Sequence, residues 1–229
     1  NVVSYMEDFE IVQIQKNEVS FFNQKGESIE KEKITLNWDS EQADKMGYKH
    51  YMLKEIFEQP RAVASVLEKY VDLESQSVQL ESLSIPPMEG LDSLPIESLK
   101  EIDRLFIVAC GTSYYAGMYG EYLIEKLSGI PVEIDVASEF RYRDPVIPKN
   151  SMMLVISQSG ETADTVAGLR KAKEAGARTV SITNTKASTI DRESAGHLYM
   201  HAGVEIGVAS TKAFISTLTV MNLFAIYLA

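Results

Sequence analysis

Cysteine is almost missing from this chain: Cys110 is the only one in 229 residues. That excludes an internal disulfide and any CxxC metal knuckle, and makes a reducing cytoplasm the expected compartment. Histidine is scarce too, with only His50, His197 and His201. His197 and His201 stand four apart, but a zinc site needs three or four ligands, so both read as structural. No apolar run reaches the roughly 18 residues of a membrane span. The stretch from Phe214 to Ala229 comes nearest, but Ser216, Thr217, Thr219 and Asn222 interrupt it, and it reads as a buried helix. Positive charge is also short: 22 lysines and arginines face 33 acidic residues, a net charge of −11. Nucleic-acid binding needs clustered basic residues, and none cluster here. The fingerprints GxGxxG and GxxxxGK[ST] are both missing, which argues against nucleotides. No membrane, metal or organic cofactor is implied.

What the chain has is ordinary globular material, 45% hydrophobic and 24% charged, enough for a core without staples. Residues 1 to 38 alternate as strands do, with Phe9–Ile14 and Val19–Phe22 flanking a Lys16-Asn17 turn and a further strand expected over Lys33–Trp38. Asp39 to Tyr48 reads as a linker. His50–Tyr70 is helical, and Pro60 predicts a split into two helices. Ser82–Pro95, with three prolines, reads as loop. From Ile102 short apolar runs alternate with helical stretches: Leu105–Ala109, Val132–Val136, Met152–Ile156 and Thr179–Thr183, with His197–His201 as a fifth strand. Such runs mark strands buried on both faces of a parallel sheet. The expected fold is therefore α/β, a doubly wound, five-stranded parallel sheet with flavodoxin-like layering and a small N-terminal β remnant. Gly176 is expected to end one of its helices.

Ligands of open parallel sheets sit beyond the carboxyl ends of the strands. Two turns there are rich in hydroxyls: Cys110-Gly111-Thr112-Ser113 and Ser157-Gln158-Ser159-Gly160-Glu161-Thr162. Each leads into a helix, whose unpaired N–H groups and positive dipole end suit an anion. Ser157, Ser159 and Thr162 add hydroxyls, Gln158 an amide, and Gly160 a close backbone approach. A phosphate held this way needs no lysine, which fits an acidic chain. Serine and threonine before a helix are also ordinary N-caps, worth about 1 kcal/mol each. Two such turns at neighbouring strand ends are harder to explain as caps alone. A third stretch, Glu205–Phe214, allows close backbone approach at Gly207 and a cap from Ser210 or Thr211, and by physics alone is as much packing as ligand contact. Cys110 lacks a nearby histidine in sequence and reads as a small hydrophobe. Glu161 would repel phosphate and is expected to turn away and support the first turn of its helix. Lys212 reads as solvated or paired.

The stretches CGTSYYAG, SQSGETADT and EIGVASTKAF, together with HYMLKEIFEQP at His50–Pro60 and ASEFRYR at Ala137–Arg143, resemble one family from about Glu10 onward. It is the first sugar isomerase (SIS) domain of the glutamine–fructose-6-phosphate aminotransferases, or glucosamine-6-phosphate synthases. The resemblance implies a transferase that makes glucosamine 6-phosphate and glutamate from fructose 6-phosphate and glutamine, in the cytoplasm, as a homodimer. It implies residues 1–45 as the C-terminal strands of a glutaminase-type domain, 46–100 as linker and lead-in helices, and 101–229 as the sugar-phosphate-binding SIS domain. It puts phosphate on Ser113, Ser157, Gln158, Ser159 and Thr162, and Thr112, Val208 and Ser210 against the rest of the sugar. The family's glutaminase cysteine and its isomerase lysine, glutamate and histidine find no counterpart, so no catalytic residue is expected here. A chain that starts at Asn1 in a strand and stops at Ala229 in a helix is expected to be a fragment, inactive alone. A SIS-type sugar-phosphate sensor without catalysis is the alternative.

Overall fold

Every residue of one strand, Ser151–Ser157, is buried, and that strand lies at the middle of a five-stranded parallel sheet. The computed structural model describes residues 2–16, 18–35, 44–84 and 94–229. They form two units, Asn1–Asp44 and Lys45–Ala229.

In the first unit β1 (Val2–Val3) pairs antiparallel with β5 (Ile34–Thr35). β2 (Ile11–Gln15), β3 (Glu18–Phe22) and β4 (Ser28–Ile29) form a meander. The hairpin of β2 and β3 follows from the alternation read in the sequence. Asn17 and Leu36–Trp38 lie outside the described residues, as do half of the expected linker (39–43) and most of the proline-rich loop (85–93). None of residues 2–16 and 18–33 is fully buried, and Ile11, Ile14 and Val19 are exposed. So small a sheet is marginal by itself.

The second unit opens with α1 (Tyr51–Tyr70), then a small ladder of β6 (Val71–Asp72) and β7 (Ser77–Val78). β8 (Arg104–Ala109), α2 (Gly111–Ser128), β9 (Val132–Val136), α3 (Ala137–Tyr142) and β10 (Ser151–Ser157) follow. The chain continues through α4 (Ala163–Glu174), β11 (Arg178–Thr183), α5 (Thr189–Glu193), β12 (Gly196–Tyr199) and α6 (Lys212–Leu228). The strand order is β12-β11-β10-β8-β9, all parallel. This is the doubly wound, flavodoxin-type order expected from the sequence.

The period of two along each strand divides the core. Leu105, Ile107, Ala109, Met152, Leu154 and Ile156 face one layer, where α6 packs on α1 and α2. Phe106, Val108, Met153 and Val155 face the other, under α3, α4 and α5. Each such leucine, isoleucine, valine, phenylalanine or methionine contributes about 1.5–3 kcal/mol when fully buried, so the central strands carry much of the stability. Tyr70, Leu80, Leu83, Leu94 and Leu99, all before the sheet's first strand, join the first layer.

Pro60 does not split α1, contrary to the sequence reading. It is exposed, while Ala62, Val66 and Tyr70 beyond it and Lys54 and Glu55 before it are buried, so packing on both sides holds one continuous helix. Gly176 does end α4: its N–H reaches Lys173 O at 2.9 Å, and Ala177 N–H reaches Ala172 O at 3.0 Å. These are the two bonds of a Schellman ending. The six-residue helix α3, absent from the sequence reading, is too short to show a period.

Candidate functional site

Chain reversal sets the position of the site. After β8 the chain moves outward to β9, then returns across β8 to β10, so the carboxyl ends of β8 and β10 flank the switch point of the sheet. Ile156 is level with Ala109 in the ladder, which brings the turns that follow, at Cys110 and Ser157, to the same height. Helices α2 and α4 start from these turns and lie on opposite faces of the sheet.

The Ser157–Thr162 turn is held by its own hydroxyls. Ser157, only 3% exposed, has its Oγ 2.9 Å from Thr162 Oγ1 and accepts the Gly160 N–H at 3.1 Å. Ser159 is exposed, and its Oγ accepts the Glu161 N–H at 3.2 Å. The Gln158 carbonyl accepts from Asn184 N at 3.1 Å, leaving its partly exposed side chain for other contacts. Gly160 has φ 70°, and a Cβ there would overlap Ser188 Oγ and stand 2.5 Å from Ser188 Cβ. The turn is thus wedged against the start of α5, to which Gly160 O also bonds through Ile190 N at 3.0 Å.

Five helices start at this edge of the sheet; α3, the shortest but one, follows Val136 without a side-chain cap and carries Glu139 in its first turn, and the N-termini of the other four can be compared with it. That of α5 is capped by Ser188, whose Oγ accepts from Asp191 N, and Glu161 Oε1 accepts from Thr189 N at 2.7 Å. Glu161 does turn away as expected, but it supports the first turn of α5 and not of its own α4. The start of α6 is occupied by Glu205, whose Oε1 accepts from Thr211 N at 2.9 Å and from Ala213 N at 3.1 Å. Neither Cys110 before α2 nor Thr162 before α4 makes a side-chain cap bond. Their leading N–H groups therefore remain for a bound anion, beside Thr112, Ser113 and the Ser157 turn. Asp164, the acid in the first turn of α4, is drawn to Arg141 at 3.0 Å, which offsets its repulsion of an anion.

The eight expected site residues fall into three groups. Ser157, Gln158, Ser159 and Thr162 form one turn, and Thr112 (exposed) and Ser113 (half-buried) lie at the neighbouring one. Val208, fully exposed, and Ser210, whose Oγ donates to Glu205 Oε2 at 3.1 Å, lie on the loop leading to α6. Sequence reasoning missed the link between that loop and the first turn. It is Asn184, whose Oδ1 accepts from Ala202 N at 3.0 Å and whose Nδ2 donates to Gly203 O at 2.7 Å. It also missed Glu55, described below, although the HYMLKEIFEQP stretch carries it. Two clefts, of about 310 and 580 Å³, are lined by none of the eight.

Three other residues are resolved by burial. Cys110 packs against the layer under α3 and α4, as a small hydrophobe does. His197 is fully buried with Nδ1 3.0 Å from Asp191 Oδ1, a structural contact. Lys212 is paired, to Glu58 Oε2 at 2.7 Å, and it is buried as well. Burial pushes the Glu58 carboxyl up, but Lys212 and Lys54 outweigh it and hold it below the usual carboxylate range.

A profile of the family described as SIS domain matches residues 98–227. A glutamine–fructose-6-phosphate aminotransferase (isomerizing) of Clostridium acetobutylicum is 46% identical over 227 residues, 99% of this chain and 36% of the relative. The enzyme of that name from Thermus thermophilus is 44% identical over 225 residues, 98% of this chain and 35% of the relative. Among solved structures, the C-terminal domain of glucosamine-fructose-6-phosphate aminotransferase from Francisella tularensis superposes with a TM-score of 0.73 at 43% identity. That match covers 81% of this chain and 49% of the other. The chain spans about a third of the length of the curated relatives it matches.

Proposed function

The chain belongs to the SIS domain family, and we propose that it is the sugar-phosphate-binding portion of a glutamine–fructose-6-phosphate aminotransferase (isomerizing). The observation that carries this reading is the Ser157–Thr162 turn at the switch point, opening onto an α4 N-terminus without a side-chain cap. The names of relatives 43–46% identical over nearly the whole chain supply the substrate.

In this reading the phosphate of fructose 6-phosphate, or of the product glucosamine 6-phosphate, lies on Ser113, Ser157, Gln158, Ser159 and Thr162. Thr112, Val208 and Ser210 face the rest of the sugar. Holding the phosphate fixes the carbon chain for proton transfer between C1 and C2, which other parts of the full enzyme perform, together with the supply of ammonia from glutamine. Residues 1–45 are the end of the glutaminase-type domain, 46–100 lead into the SIS domain, and the parent enzyme works in the cytoplasm as a homodimer. No nucleic acid or membrane takes part.

Calorimetric titration of the chain with fructose 6-phosphate, glucose 6-phosphate and fructose tests this. Heat from both phosphorylated sugars, none from fructose, and a loss in Ser159→Ala is the expected result. Equal binding of fructose, or silence at millimolar fructose 6-phosphate, would refute it.

A further inference from the structure

The loop from Gly203 to Thr211 has no buried residue, so apolar packing does not hold it. Asn184 holds its start at Gly203, and two carboxylates hold the rest. Glu205 secures the end nearest α6 through Thr211 N and Ala213 N. The middle is secured from α1: Glu55 Oε1 accepts the Ile206 N–H at 2.6 Å, and both Glu55 oxygens accept the Gly207 N–H at 3.1 Å. Glu55 is 2% exposed. Burying a carboxylate is costly, and charge-assisted bonds to backbone N–H groups offset that cost only when their geometry is fixed. Here the fit has no slack. A Cβ on Gly207 would overlap Glu55 Oε2 and meet Met52 Cα at 3.4 Å. Between the two anchors Val208 projects with its side chain fully exposed.

We propose that Glu55 is a positioning residue for sugar recognition: it fixes the Ile206–Gly207 backbone so that Val208 meets the sugar of a hexose phosphate bound at the Ser157 turn. This rests on the functional reading above and extends the site to α1, which lies outside the matched residues 98–227. Among the described residues no hydrogen bond of Glu55 reaches the Ser157–Thr162 turn; Asn184 joins that turn to the loop at Ala202 and Gly203, before the Ile206–Gly207 segment that Glu55 holds. Glu55 therefore acts on affinity for the sugar part and leaves affinity for phosphate alone unchanged.

The test compares the whole chain with Glu55→Gln, which keeps the volume and removes the charge, and with Gly207→Ala, which presses on the same contact from the loop side. Amide exchange at Ile206 and Gly207 is followed by NMR, and fructose 6-phosphate and inorganic phosphate are titrated separately. Expected for both variants are amide exchange at Ile206 and Gly207 faster by roughly tenfold, unchanged exchange at Thr211, and fructose 6-phosphate affinity lower by roughly tenfold. Inorganic phosphate affinity stays within about twofold of the parent, well below one hydrogen bond's worth. Unchanged amide exchange, unchanged fructose 6-phosphate affinity, or an equal loss for both ligands would each overturn the proposal, the last because a general weakening of the fold predicts it. If the parent chain itself binds neither ligand, the functional reading fails first and the proposal falls with it. That failure is recognisable because it precedes any substitution.

Discussion

Replacing Gly160 with alanine isolates the wedge that shapes the anion-binding turn. Two costs add. The backbone sits at φ 70°, in the left-handed region, where a non-glycine residue loses roughly 1–2 kcal/mol. The new Cβ also stands 2.5 Å from Ser188 Cβ. The Ser188 hydroxyl can rotate away, but its Cβ can yield only if the α5 backbone moves, an overpacking cost of about 1–3 kcal/mol. Gly160→Ala should therefore destabilise the chain by about 3 kcal/mol in urea unfolding. Ser188→Gly alone should cost under about 1 kcal/mol, since glycine replaces a serine cap at little loss. In the double variant the overlap disappears and the strain remains, so a coupling of about 2 kcal/mol is expected from the double-mutant cycle. Titration with fructose 6-phosphate should show binding lost in Gly160→Ala and partly recovered in the pair. A Gly160→Ala chain within about 0.5 kcal/mol of the parent, or strictly additive effects, would refute the wedge.

Two further outcomes follow from the same geometry. Ser157→Ala leaves the buried Gly160 N–H without its acceptor and should cost about 2 kcal/mol and abolish binding, whereas Ser159→Ala, at an exposed position, should weaken binding while unfolding within about 0.5 kcal/mol of the parent. His201 has its imidazole pushed down to about 4, first by burial and then by the charges of Lys186 and Lys69. The unfolded ring, at its ordinary 6.5, takes up a proton that the folded ring refuses, so stability is present above 6.5 and is lost as pH falls from 6.5 toward 4. Between pH 7 and 5 this amounts to about 2 kcal/mol before, and about 1 kcal/mol after, allowing for the partly exposed ring. His201→Asn, which tolerates the positive φ of this residue, should flatten that part of the pH profile in thermal unfolding.

The sheet was legible because its inner strands are buried on both faces, and a run such as Leu105–Ala109 then reads as continuous apolar sequence. The Ser157 turn was legible because a hydroxyl cluster with a glycine between a strand and a helix is a local pattern. The supports of the site were hidden by distance along the chain. Glu55 and Gly207 are 152 residues apart, and Lys212 and its partner Glu58 are 154 apart, separations at which no periodicity pairs residues. Pro60 misled for a related reason, since a local breaker was outweighed by packing of α1 on α6, which the local sequence does not display. Whether a given acid lies at its own helix or at another's is equally non-local, as Glu161 shows by capping α5.

Backbone amide shifts recorded while fructose 6-phosphate is added test the central claim most directly. The account predicts that the largest changes fall at Gly111–Tyr114 and Gln158–Ala163, around the starts of α2 and α4, with smaller changes at Ile206–Ser210. Thr211 and Ala213, already bonded to Glu205, should stay still. Shifts concentrated elsewhere, for instance in the cleft lined by Lys69, Lys186 and His201, would contradict it.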